Sequence, residues 1–224
     1  MTRLIAVIKY TLILLHCFVL VVAAETALSF FVPEKRVATL NKAYGKQAVS
    51  RLNSLLVLMD KMVASPEDQI IVAVNRFFNQ IEYGSDIQIW NKKDYWASRL
   101  EFLGKGQGDC EDFAVAKFLT MMQLGVPEKK LFLTYVKAVG YPEAAHLVVT
   151  YYQEPGSVPF VLDNYNRQIL PATKRKDLIP VYSFTANDLY LQKQQGLGKR
   201  VNRASLKTQR NLQAIDLEIQ KREK

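Results

Sequence analysis

The segment Gly106-Gln107-Gly108-Asp109-Cys110-Glu111-Asp112-Phe113-Ala114 sets one thiol among three carboxylates, between a glycine pair and an apolar run. Glycines permit a tight turn and aspartate is a favourable N-cap, so Asp109 predicts the start of a helix. Apolar residues then recur at helical spacing as far as Leu124, where Gly125 ends the pattern. Cys110 is therefore predicted in the first turn of a buried helix, where backbone amides and the helix dipole favour a thiolate.

Helical patterns precede this segment and short strands follow it. Apolar residues at steps of three and four predict one helix from Pro33 to Val63, and a second helix with Ser65 as N-cap and Pro66 at its first position. Beyond the cysteine helix, four runs are rich in β-branched and aromatic residues: Leu131–Val139, His146–Tyr152, Phe160–Leu162 and Val181–Phe184. Helices followed by an antiparallel sheet predict an α+β domain.

The first 24 residues are predicted to be a secretory signal peptide. Arg3 and Lys9 precede an apolar run, and Val22-Ala23-Ala24 fits signal peptidase cleavage before Glu25. An uncleaved membrane anchor is the alternative, although the run is short for spanning a bilayer. We expect cleavage, a domain over residues 25–192 without stable membrane insertion, and a basic C-terminal tail over residues 193–224.

The positive charge of the chain is concentrated in that tail. The formal net charge is +9, yet residues 25–192 hold 19 basic and 18 acidic side chains, whereas residues 193–224 hold nine and three. No nucleic-acid motif accompanies the basic residues, so nucleic acid is not an expected partner. We expect the tail to be solvated, flexible or partly helical, with Leu212, Ile215 and Ile219 on one side; attachment to a partner or a membrane surface is the alternative.

Signal cleavage leaves one thiol and one imidazole. His16 and Cys17 lie in the removed segment, so the mature chain keeps only Cys110 and His146. A lone cysteine in an exported protein forms no intramolecular disulfide, and is either an inert buried thiol or a reactive one. Its position at a loop-to-helix junction beside carboxylates favours the reactive interpretation.

A nucleophilic thiol needs a base within hydrogen-bond reach and a group that orients that base. His146 is predicted to begin one strand and Asp163 to end the next, so a hairpin would make them neighbours beside the cysteine helix. Each residue also has a plainer explanation, because a lone histidine is often a satisfied side chain and Asp163 could be a turn residue.

The acids around Cys110 create a difficulty for a nucleophile. Asp109, Glu111 and Asp112 should raise the thiol pKa and oppose the helix dipole. A hard divalent cation held by their oxygens would reverse the local field. The alternative is that these acids merely cap the helix.

Five segments of the sequence resemble the bacterial transglutaminase-like cysteine proteinases of the LapG type. They are Asp94–Trp96, Glu101–Leu103, Gly108–Ala114, Ala145–Val148 and Val161–Asn164, and the resemblance extends over about residues 75–191. It implies a papain-like, transglutaminase-like core in a periplasmic protease. It further implies Cys110 as the nucleophile, His146 as the general base and acid, Asp163 as the orienting residue, and a Ca2+ ion near Asp109, Glu111 and Asp112.

The same resemblance implies a substrate and a regulator. The substrate would be the N-terminal region of a large cell-surface adhesin, whose cleavage releases the adhesin and disperses a biofilm. The regulator would be the periplasmic domain of an inner-membrane cyclic-di-GMP receptor. A transglutaminase or other acyltransferase using the same triad is one alternative, and a non-catalytic binding module is another. The oxyanion would meet the Cys110 amide and a second donor, either Trp96 or an amide between Glu82 and Gln107.

Overall fold

The computed structural model describes residues 29–185, 189–192, 197–201 and 219–221. Within these ranges, helices come first along the chain and an antiparallel sheet follows. The predicted α+β class, with N-terminal helices before an antiparallel sheet, is confirmed. The predicted signal peptide lies outside the described residues.

The described residues form five α-helices, all of which precede the large sheet along the chain. In chain order they are α1 (Glu34–Met62), α2 (Glu67–Phe78), α3 (Asp86–Trp90), α4 (Arg99–Lys105) and α5 (Cys110–Gln123). Helix α1 is interrupted at Gly45, which has a φ of 78°. Helix α2 begins one residue later than predicted, because Pro66 keeps an extended ψ of 146° and occupies the N-cap position assigned to Ser65.

The strands form one large sheet and two small pairs. They are β1 (Phe30–Phe31), β2 (Glu82–Tyr83), β3 (Gln107–Gly108), β4 (Leu131–Ala138), β5 (Tyr141–Tyr151), β6 (Phe160–Leu162), β7 (Leu170–Pro171), β8 (Leu178–Phe184), β9 (Leu189–Gln192), β10 (Leu197–Val201) and β11 (Gln220–Lys221). The large sheet has the order β10-β9-β8-β4-β5-β6-β7. Strand β5 therefore lies between β4 and β6, and it continues beyond the end of β6.

The prediction that His146 begins its strand is wrong, because β5 already begins at Tyr141. The pairing of Lys137 with Ala145 is followed by that of Ala138 with Tyr141, so residues 142–144 have no partner on β4. This irregularity accommodates Pro142, which lacks a backbone donor. His146 consequently lies within the strand, opposite Val136.

Helix α5 is buried on nearly every side. All residues from Asp112 to Met121 are buried, including Lys117 at 1% exposure. The helix packs against α2 on one side and against β4 and β5 on the other, so apolar side chains are needed around most of its circumference. This double packing fixes the direction of the first turn, which carries Cys110.

The C-terminal part of the chain contributes to the fold beyond the predicted domain boundary. Strand β10 extends the large sheet past residue 192, and β11 pairs with β1. Ile219 is buried, and its carbonyl accepts a hydrogen bond of 2.8 Å from the side-chain amide Nε2 of Gln123 at the end of α5. The predicted tail is thus partly strand, whereas Leu212 and Ile215 lie outside the described residues. Among the described helices, none has the length and apolar character needed to cross a membrane.

Candidate active site

The first turn of α5 is built from the carboxylates that flank the thiol. Asp109 is the N-cap, and its Oδ1 accepts the Glu111 amide at 3.2 Å. Asp112 reaches back to the Asp109 amide at 3.3 Å, which completes a capping box. Two orphan backbone donors are thereby satisfied, and Cys110 is the first residue of the helix.

The thiol of Cys110 lies in a buried crevice between α5 and β5. Its Sγ donates to Glu111 Oε2 at 2.8 Å and lies against the backbone amide of Leu147. Burial raises the thiol pKa well above its ordinary value, and the Glu111 carboxylate raises it further. The helix terminus alone therefore leaves the thiol protonated in this arrangement.

The structure brings His146 and Asp163 together. The distance from His146 Nε2 to Asp163 Oδ1 is 2.8 Å, and Asp163 is fully buried. Asp163 also accepts the Tyr165 amide at 3.0 Å and Arg175 Nη2 at 2.7 Å. Burial alone would raise the pKa of this carboxyl, but these partners outweigh it and hold the pKa well below its usual range.

The tautomer of His146 follows from these contacts. Because an ionised carboxylate only accepts hydrogen bonds, Nε2 must carry the proton that Asp163 receives. In a neutral imidazole, Nδ1 is then the basic nitrogen. The amide of Leu147, the residue after His146, is hydrogen-bonded to the Cys110 thiol, so His146 is one residue along β5 from this contact. The triad of Cys110, His146 and Asp163 stays a prediction.

A second group of carboxylates lies beside this site. Asp86, Asp109 and Asp112 each offer an oxygen within 4.8 Å of the other two. The predicted ligand set of Asp109, Glu111 and Asp112 stays a prediction, and among the described residues Glu111 is not part of this group. The reason is helical geometry: successive side chains diverge by about 100° around a helix, so Glu111 points to the thiol while Asp112 points to the N-cap.

The chemistry of the group fits a divalent cation. Burial and the charges of neighbouring acids raise the pKa of Asp109, and burial likewise raises the pKa of Asp86 and brings that of Asp112 to about 7. Within the described part of the chain, Asp86 Oδ1 is buried and accepts no hydrogen bond. Three clustered hard oxygens with an unsatisfied lone pair are the donors that calcium prefers.

These acids also hold the loop that precedes the site. Asp86 Oδ2 accepts the Tyr95 amide at 2.5 Å, and Asp112 Oδ1 accepts the Ala97 amide at 2.8 Å. The segment between α3 and α4 is thereby attached to the start of α5. Trp96, the predicted oxyanion donor, is half-buried against the core, and its role stays a prediction.

Three tyrosines have pKa values that are affected by the charges at the start of α5. Tyr83 is 66% exposed. Partial burial raises its pKa most, and the negative charges of Cys110, Asp109 and Glu111 raise the pKa further. Tyr135 and Tyr182 pack against each other with ring centroids 4.9 Å apart, and Glu111 adds to the effect of burial in raising the pKa of both.

Sequence reasoning missed Asp86, Lys117 and Arg175. Asp86 follows a Gly-Ser pair at a helix start, which is a local signal for a cap but none for a distant cluster. Lys117 interrupts an apolar helical run, and that interruption is a readable signal. Arg175 lies in a basic, polar stretch, and its sequence context carries no signal that it is buried.

The comparisons with known proteins point to one family. Residues 57–195 match the model of the bacterial transglutaminase-like cysteine proteinases. The structure is similar to calcium-bound LapG of Legionella pneumophila, with a TM-score of 0.68 and 36% identity over 80% of this chain and 97% of that one. It is also similar to EGTA-treated LapG of that organism, with a TM-score of 0.66 and 35% identity over 81% and 94% of the two chains. No protein of curated function matches the chain.

Proposed function

Because this chain belongs to the bacterial transglutaminase-like cysteine proteinase family, we propose that it is a calcium-dependent cysteine endopeptidase acting through Cys110, His146 and Asp163. The observation that carries the proposal is the 2.8 Å contact between His146 Nε2 and Asp163 Oδ1, on a strand whose next residue, Leu147, has its amide at the Cys110 thiol. This contact fixes the tautomer that a general base needs.

The proposed reaction begins with proton transfer from the Cys110 thiol to His146 Nδ1. The resulting thiolate attacks a peptide carbonyl, and the Cys110 backbone amide donates to the oxyanion. His146 then protonates the leaving amine, and an acyl-enzyme remains. A water molecule that gives its proton to His146 hydrolyses the thioester, while Asp163 keeps the imidazole oriented and stabilises its protonated form.

Glu111 opposes the first step because it stabilises the protonated thiol. Asp86, Asp109 and Asp112 add further negative charge within the same region. A bound calcium ion supplies positive charge that offsets these carboxylates and favours the thiolate. The similar LapG structures, one calcium-bound and one EGTA-treated, support this part of the proposal.

The substrate and regulation of the protease are proposed from the family resemblance. The substrate is the N-terminal region of a large surface adhesin, which is released by cleavage. The protease acts in the periplasm, where the periplasmic domain of a cyclic-di-GMP-responsive inner-membrane receptor sequesters it. The predicted signal peptide over residues 1–24 supports this location.

The test is incubation of the protein with an adhesin N-terminal fragment and a primary amine, followed by N-terminal sequencing of the products. We expect two fragments in the presence of calcium, and none with EGTA or with Cys110→Ala. Asp163→Asn should retain the fold and lose about 10⁴-fold in kcat, because the imidazole loses its orienting partner. Amine incorporation without cleavage would identify an acyltransferase, and cleavage by Cys110→Ala would exclude the thiol mechanism.

A further inference from the structure

The carboxylate of Asp163 has a buried cation on the oxygen that His146 does not use. Arg175 Nη2 lies 2.7 Å from Asp163 Oδ2, whereas His146 Nε2 lies 2.8 Å from Oδ1. The Arg175 side chain is 2% exposed and that of Asp163 is fully buried. Both carboxylate oxygens are therefore committed, each to a different partner.

Arg175 is itself fixed in place. Its Nε lies 2.9 Å from Asp177 Oδ1, and its Nη2 lies 2.7 Å from Asp177 Oδ2. The Asp177 carbonyl accepts the Val139 amide at 2.8 Å, so the loop is attached to the β4–β5 hairpin that carries His146. The guanidinium thus connects the turn after β7 with the orienting carboxylate.

A second buried cation near Asp163 is less suited to this task. Lys117 on α5 feels the Asp163 charge, but burial lowers its pKa to about 7. At neutral pH only part of the Lys117 population is charged. Arg175 keeps its charge at all working pH values. Its planar guanidinium fixes the plane of the Asp163 carboxylate and also favours the ionised form of that carboxylate.

We propose that Arg175 is a positioning residue of the active site, which holds Asp163 ionised and oriented so that Oδ1 faces His146. Its consequence for the reaction rate rests on the proposed function, whereas its consequence for the His146 hydrogen bond does not. Removal of Arg175 leaves a buried carboxylate oxygen without its partner, and the carboxylate is then free to turn or to take up a proton.

The first test is the pH dependence of kcat/KM. We expect Arg175→Met to lower kcat/KM roughly a hundredfold, mainly through kcat, because the imidazole is misplaced. The acidic limb of the kcat/KM profile should move to higher pH, because Asp163 loses a partner that lowers its pKa and is protonated sooner as pH falls. Arg175→Lys should return this limb to its wild-type pH but recover only part of the rate. Lys130→Met, which removes an ion pair to Glu67, is the matched control and should leave the limb in place.

The second test needs no substrate. In a His16→Gln background, His146 is the only imidazole of the chain, so its Nε2–H proton can be observed singly by NMR. Arg175→Met should speed the exchange of this proton with water, whereas Lys130→Met should not. If Arg175→Met fails to fold, Arg175→Lys and Asp177→Asn take its place in the test. Because the Asp177 side chain is 52% exposed, Asp177→Asn should speed the proton exchange in the same direction but by less. The inference would be overturned if folded variants kept both the acidic limb of the pH profile and the exchange rate of the His146 proton. If the wild-type protein had no protease activity but Arg175→Met still changed the proton exchange, only the proposed protease function would be refuted.

Discussion

The three acids beside the thiol make different contacts. Glu111 accepts a hydrogen bond from the Cys110 thiol, and Asp109 caps the helix. Asp112 accepts hydrogen bonds from the backbone amides of Asp109 and Ala97. Three acids within four residues therefore have three separate tasks. The task of each depends on its position in the first turn, where side-chain directions differ by about 100° from one residue to the next. Chemical similarity within a short motif is consequently a poor guide to which carboxylates share a ligand.

At Glu111 we predict that charge removal activates the thiol in the calcium-free protein. Glu111→Gln removes a negative charge and an ionic acceptor, both of which raise the Cys110 pKa, so the thiolate fraction at pH 7.5 should increase. Iodoacetamide alkylation in a Cys17→Ser background measures this fraction, and we expect about a tenfold rise for each unit by which the pKa falls. Glu128→Gln, on the 3₁₀ turn before β4, is the control and should react like the parent. Slower alkylation of Glu111→Gln would contradict the assigned role.

At Asp86 we predict a loss of calcium binding that Glu111 does not share. Asp86→Asn removes one charged oxygen from the carboxylate group, so the rise in Tm on adding calcium should fall to less than half. Glu111→Gln should keep most of that rise, because its side chain is directed to the thiol. Thermal unfolding with calcium and with EGTA makes the comparison. The reverse order of effects would restore Glu111 as a ligand.

Among the elements, the cysteine helix was predictable and the position of His146 in its strand was not. Helix α5 has a strong N-cap, sustained apolar spacing and a terminal glycine, all of which are local signals. The start of β5 was hidden because Gly140-Tyr141-Pro142 has the composition of a loop. The hairpin instead turns at Gly140 with a φ of 91°, and the irregular pairing absorbs the proline.

The turn that leads into α5 has no space for a side chain at Gly108. A Cβ there would lie 2.6 Å from the Phe102 ring and 2.7 Å from Asp112 Oδ2. We predict that Gly108→Ala lowers the free energy of unfolding by about 1 to 3 kcal/mol, as other overpacked sites do, and weakens calcium binding by displacing Asp112. Urea unfolding and calcium titration measure the two effects.

Gly84→Ala is the matched control for this turn. Its Cβ would lie 3.0 Å from Ile89 Cδ1 and 3.2 Å from Ile89 Cγ1, atoms of a flexible side chain that can move aside, and at an ordinary contact distance of 3.6 Å from Gln107 Cβ. We expect a smaller change in unfolding free energy and nearly unchanged calcium binding. Equal effects at Gly84 and Gly108 would show that the close approach to Asp112 has no special weight.

Over the whole molecule, the contacts that complete the site join residues far apart in sequence. Asp86 on α3 reaches Asp112 on α5 across helix α4 and strand β3, and Arg175 reaches Asp163 across β7 and a 3₁₀ turn. No local pattern encodes such contacts, because they depend on how finished elements pack together. Cys110 and His146 were predicted for a different reason, namely that residues 25–224 hold one cysteine and one histidine, and Asp163 was predicted from its position at the end of a strand.

The stability of the calcium-free protein should depend on pH through the carboxylate group. Burial raises the pKa of Asp86, Asp109 and Asp112 in the folded state, whereas an unfolded aspartate titrates near pH 4. The folded state therefore binds more protons, and this contribution to stability is lost as pH rises from about 4 to about 8. Asp163 has a lowered pKa in the folded state, so its own contribution to stability is complete above about pH 5 and adds no slope beyond that pH.

We therefore predict that the gain in Tm on adding calcium is larger at pH 7.5 than at pH 5. Calcium must compete with protons for the same oxygens at pH 5, whereas at pH 7.5 it relieves their repulsion. Thermal unfolding at the two pH values, with calcium and with EGTA, measures the difference. Asp86→Asn should flatten the dependence. A gain that is equal at both pH values would contradict the assignment of these carboxylates.

The pairing of β1 with β11 lies at the opposite end of α5 from the thiol. Ile219 is bound to Gln123, while Cys110 begins the same 14-residue helix, so the two points are separated by about 20 Å along its axis. For practical use this separation favours immobilisation. If the protein were attached to a solid surface through a group beside Phe30 or Lys221, the surface would contact the end of α5 that is far from Cys110. The crevice that holds the thiol would then remain accessible to a large protein in solution.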